Sequence, residues 1–155
     1  MRTWTDAEFA SLSWHDNHIH GIALRVGDPL AGDWTSDLVL DIDHVLDWVR
    51  EDGGTRFRVA PATLTFHGVT DRYIHIDDGS SGFRVSHGVP SIHRIEREPV
   101  ADQKVFLDRP YYRWRIELNA PPGGEITFGA VGFTQTLTAE PELREQQWLP
   151  RRSGA

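Results

Sequence analysis

Residues 37–44 place Leu38, Leu40 and Ile42 on one parity and Asp37, Asp41 and Asp43 on the other. Side chains on a strand alternate between faces, so this spacing makes one face apolar and loads the other with carboxylates. On a helix of about 3.6 residues per turn the same aspartates would scatter around the axis. The pattern therefore predicts a half-buried strand. Similar alternation recurs downstream and predicts a β-rich domain with one face buried and one solvated.

The remaining elements follow from local signals. Thr5 with Glu8 three residues later is a capping-box spacing, which predicts a short N-terminal helix over about residues 6–12 with Phe9 and Leu12 on its apolar side. Strands are predicted at residues 18–26, 37–48, 62–69, 73–77, 91–98, 111–119 and 125–138, and another begins at Phe57 until Pro61 interrupts or edges it. In the last of these the apolar parity runs Ile126, Phe128, Ala130 and then switches to Phe133 and Leu137, which predicts a β-bulge at Gly129 or Gly132. Residues 78–82 read as the most flexible loop, and a helical turn is expected around Leu143. The fold class is mainly β: an antiparallel β-sandwich or strongly curved sheet of about eight strands with a short N-terminal helix. Residues 1–150 read as a single β-rich domain and 151–155 as a frayed tail. The expected core is Leu38, Leu40, Ile42, Leu64, Phe66, Ile74, Ile76, Trp114, Ile116, Leu118, Ile126 and Phe128.

Composition removes several function classes. The chain has no cysteine, which excludes disulfides and thiolate metal sites and fits a reducing cytoplasm. No apolar run has the roughly 18 residues of a membrane span, and the first residues carry no signal-peptide core. A cytoplasmic protein with no membrane association is expected. The formal charge of −7 argues against a general nucleic-acid binder, which would carry a basic stripe. The six tryptophans are assigned mainly to the core because each can bury a large apolar area, with a binding surface as the alternative for some of them.

One candidate polar cluster comprises His15, Asp16 and Asn17 at the entrance of the first strand, with Asp37, Asp41 and Asp43 on the second. Short polar side chains bond nearby backbone groups, so the preferred reading makes His15 and Asp16 structural ties where the chain turns. The alternative takes His15, His18 and His20 as metal ligands beside Asp16, since neutral imidazole suits zinc, nickel, copper or iron. No HExxH spacing supports it, and no cofactor is predicted. The aspartate row, with His67, His75 and Asp77 as prospective neighbours, reads as a solvated outer face in preference to a divalent-ion or acid-base site. Arg113 and Arg115 interleaved with Tyr111, Tyr112 and Trp114 read as an arginine-lined strand face that blunts an edge, not as a base-stacking surface. There is no P-loop, GxGxxG or GxSxG elbow.

Residues 13–17 (Ser-Trp-His-Asp-Asn), 36–43 (Ser-Asp-Leu-Val-Leu-Asp-Ile-Asp), 57–66 (Phe-Arg-Val-Ala-Pro-Ala-Thr-Leu-Thr-Phe) and 124–137 together resemble a family of small uncharacterised bacterial proteins. The resemblance covers nearly the whole chain and implies a cytoplasmic single domain, with no catalytic residue to carry over. A His-Asp entrance followed by antiparallel strands is also similar in layout to some immunity proteins of bacterial toxin systems, which implies a protein partner. Two functions are thus expected to compete. The preferred one is a non-catalytic interaction module whose acidic surface meets a protein; the other is a metal-dependent enzyme using His15, Asp16, His18 or His20.

Overall fold

The computed structural model of the chain describes residues 2–79, 82 and 89–150. Ten strands run through these residues: Thr3–Thr5 (β1), His18–Val26 (β2), Ser36–Glu51 (β3), Gly54–His67 (β4), Thr70–His75 (β5), Ser91–Pro99 (β6), Tyr112–Ala120 (β7), Glu125–Ala130 (β8), Gly132–Leu137 (β9) and Glu142–Arg144 (β10). All neighbouring strands pair antiparallel, in the order β1-β9-β4-β3-β2-β6-β7-β8-β5, with β10 added to β4. The path is continuous but thin at one point, because β2 and β6 share only the pair His18↔Ser91.

Aromatic packing shows how the path is bent. Phe66 on β4 lies 4.7 Å from Phe128 on β8 and 5.1 Å from Trp114 on β7, centroid to centroid. These strands sit in opposite halves of the hydrogen-bonded order, so the sheet turns back and packs its apolar face against itself. Phe133, Phe9 and Trp14 complete the nucleus with edge-on and tilted contacts, the arrangement favoured by ring quadrupoles. The polar tips are answered: Trp114 Nε1 donates to Ala130 O at 3.2 Å, and Trp14 Nε1 donates to Gln135 Oε1 at 2.7 Å.

Of the expected core, Leu38, Leu40, Ile42, Leu64, Phe66, Trp114, Ile116, Leu118, Ile126 and Phe128 are buried. Ile76 packs on the core from its margin. Ile74 departs from expectation at 44% exposed. It pairs with buried Ile126, but on β5, the last strand of the path among the described residues. Only Trp4, Trp14 and Trp114 among the tryptophans are core residues; Trp34, Trp48 and Trp148 are exposed.

Four local expectations are corrected. Residues 6–11 do start at the Thr5–Glu8 capping box, yet they form a six-residue 3-10 stretch and not an α-helix. The parity switch after Ala130 is no bulge within one strand. The chain leaves β8, which pairs with β7 and β5, and at Val131 passes to β9, which pairs with β4 and β1. Changing sheet half changes which side faces the core, and so reverses the parity. Pro61 does not break β4, because its missing donor falls between the end of β9 at Ala62↔Leu137 and the start of β10 at Val59↔Glu142. Leu143 lies in a strand, not a helical turn. The predicted loop at 78–82 lies partly, and the tail 151–155 wholly, outside the described residues.

Candidate functional site

The chain reaches β2 through a tight turn at residues 13–17. Asn17 N–H donates to Trp14 O at 3.0 Å, and Asp16 adopts a left-handed φ of 64°, a conformation that Asp and Asn tolerate better than bulkier residues. The Asp16 carboxylate accepts Asn119 Nδ2 and Gln147 Nε2, each at 2.8 Å, so it ties together the turn, β7 and the C-terminal segment. Ser91 bonds the other end of the Asn119 amide. His15 stands half-exposed, with Nδ1 donating to His93 O at 3.0 Å and Nε2 at 3.5 Å from Asp16.

One residue further in, Asn17 is fully buried. Its Oδ1 accepts Val45 N–H at 3.1 Å, and its Nδ2 donates to His44 Nδ1 at 2.8 Å. An amide nitrogen can only donate, so His44 Nδ1 must be a lone pair and the ring neutral. Burial, and secondarily the charge of Arg2, pull the His44 pKa down to about 4, in keeping with that bond.

His18 and His20 follow on β2, with rings stacked 6.4 Å apart. His20 Nε2 is 2.8 Å from Asp43 Oδ2, and Leu149 N–H donates to the same oxygen at 3.0 Å. Burial first and neighbouring His20 second hold the His18 imidazole below the usual histidine range. The His18 Nδ1 atom is buried with no hydrogen-bond partner among the described residues, and Trp148 covers the ring at 5.1 Å. Gln147, Trp148 and Leu149 therefore close over the cluster, each touching a different polar residue of it.

This arrangement separates the aspartates that the alternation groups together. Asp37 faces His67 at 3.4 Å, Asp41 is exposed, and Asp43 is fully buried beneath the C-terminal segment. His75 stacks on Tyr73 on β5 and is remote in strand order from β3. The row is a shared parity, not a shared site. The metal alternative meets the same difficulty, since the structure does not gather His15, His18 and His20 into a ligand set. Among the described residues, no three His, Asp or Glu side chains are placed to hold a metal ion. No described helix is long and apolar enough to cross a membrane.

A second region emerges at the other end of β2, in residues 27–35. Gly27 N–H donates to Thr35 O at 2.9 Å, and Asp28 O accepts Ala31 N–H and Asp33 N–H, both at 3.0 Å. Asp28 Oδ1 caps Leu30 N–H at 3.0 Å, while Asp33 Oδ1 accepts both Thr35 N–H at 3.0 Å and the Thr35 hydroxyl at 2.7 Å. Asp33 lies against Gly27, where a Cβ would come within 2.4 Å of its carboxylate. The loop thus satisfies its backbone internally, yet presents Leu30 at 100% and Trp34 at 81% exposure, next to exposed Leu24 and Val26. Sequence reasoning marked a loop here and placed the tryptophans collectively in the core or, for some, on a binding surface, without singling out Trp34. The missed signal was a large aromatic placed between turn residues, outside any alternating run. No family model matches the chain, and neither a search of curated proteins nor a search of solved structures returns a match.

Proposed function

We propose that this protein is a cytoplasmic interaction module whose acidic surface meets a basic protein partner, in its sharpest form an immunity protein that neutralises a toxin. The single observation that supports this is the ordered loop at residues 27–35, which leaves Leu30 and Trp34 in solvent while its Asp28 and Asp33 carboxylates hold its shape. Tryptophan is enriched among residues that dominate binding energy, and a loop already held in shape loses little freedom on docking. A formal charge of −7 accelerates encounter with a basic target and disfavours nucleic acid. The layout likeness to immunity proteins points the same way.

The test is direct binding to the products of genes adjacent to this one, read by surface plasmon resonance. A basic toxin bound with an association rate that falls as salt rises, and at least about tenfold more weakly by Trp34→Ala, would support the proposal. Neighbours that are metabolic enzymes and show no binding would remove it.

A further inference from the structure

Three adjacent strands carry a hydrogen-bonded relay that the interaction reading does not use. Asp37 on β3, His67 on β4 and Thr134 on β9 stand side by side on one sheet face. Asp37 Oδ2 is 3.4 Å from His67 Nδ1, and His67 Nε2 is 2.9 Å from Thr134 Oγ1. An ionised carboxylate only accepts, so Nδ1 carries the imidazole proton and the Nε2 lone pair faces the threonine hydroxyl. Gly68 N–H donates to the other Asp37 oxygen at 3.4 Å and fixes the carboxylate from behind. Base bonded to hydroxyl, and orienting acid bonded to base, is the geometry that activates a hydroxyl nucleophile.

The surroundings match this polarity. His67 and Thr134 line a cavity of about 390 Å³ together with Arg109 and Asp6, whereas Asp37 is not among its lining residues. The hydroxyl thus opens on the cavity and the carboxylate stands behind the imidazole. The lining carries charge of both signs, from Arg109 and from the Asp6 carboxylate that lies against Gly132. Mounting on paired strands keeps the three side chains in fixed register.

We infer that Thr134, activated by His67 and oriented by Asp37, is a nucleophile toward small acyl esters. With p-nitrophenyl acetate, the Thr134 Oγ–acyl bond forms as the bond to p-nitrophenolate breaks. The leaving group departs with the electron pair, and the hydroxyl proton reaches it through His67 Nε2. Water then adds to the acyl carbon and gives a proton to His67. Thr134 Oγ leaves with the bonding pair, regains that proton, and acetic acid is released. Positioning Asp37 makes no bond to the ester.

The experiment follows p-nitrophenolate release by the full chain and maps the acyl adduct by mass spectrometry after rapid acid quench. Wild type should carry the acetyl group on Thr134. Thr134→Val, which keeps the β-branched shape, and His67→Gln should each slow release by about 10²-fold, and Thr134→Ser should restore it. Thr134→Val turning over at the wild-type rate would overturn the proposal. So would an adduct confined to other side chains, a readout on unaltered protein that does not depend on how the variants fold.

Discussion

The turn at residues 13–17 and the loop at residues 27–35 lie at the two ends of β2, and both are rich in short polar residues. Their fates are opposite. At the first end polar side chains are consumed: Asp16, Asn17, His20 and Asp43 all bond partners from distant strands or the C-terminal segment. At the second end Asp28 and Asp33 are spent on their own loop, and the apolar Leu30 and Trp34 are left without cover. A chemically dense cluster can be structural because most of its groups are already satisfied. A plain loop can be the candidate contact surface because something large in it is not.

The comparison can be broken most severely at the buried pair. His20→Ala leaves the Asp43 carboxylate buried without its imidazole, and should lower unfolding free energy by about 3 kcal/mol in a urea titration. A loss under about 1 kcal/mol would mean that solvent reaches Asp43 and that the first end is open.

Acid should reach the same end through His44. Its folded pKa of about 4 lies below the ordinary 6.5, so between those values the unfolded chain holds a proton that the native ring refuses. The contribution is complete above about pH 6.5 and is lost as pH falls toward 4, amounting to about 3 kcal/mol. Chemical denaturation at a series of pH values should show this loss in wild type and a shallower slope in His44→Gln. Equal slopes would place the proton elsewhere.

Smaller effects sharpen the contrast. Gln147→Ala removes one half-buried bond to Asp16 and should cost about 1 kcal/mol, visible as a modest drop in Tm. Trp34→Ala should change stability by no more than about 0.5 kcal/mol, because the side chain packs little in the isolated chain. A larger loss would show the loop to be part of the fold and weaken its role as a contact surface.

Features with local causes were readable in advance. The Thr5–Glu8 capping box needs only a three-residue spacing, and it starts the 3-10 stretch where expected. Most of the buried apolar residues of β3, β4, β7 and β8 follow from period-two alternation, but the consecutive burial at residues 42–45 does not. The aspartate row illustrates where that reasoning stops. Parity puts Asp37, Asp41 and Asp43 on one face, but only the C-terminal segment, more than 100 residues away, decides that Asp43 is the one buried.

The sequence by itself determined the antiparallel β class, most of the core and the positions of its turns, because each rests on neighbours a few residues apart. Tertiary structure alone decided the fold-back that brings Phe66 to Phe128, the passage between sheet halves at Val131, and the alignment of Asp37, His67 and Thr134. Alternation tells a side chain which face to take; long-range register and packing choose what stands across from it.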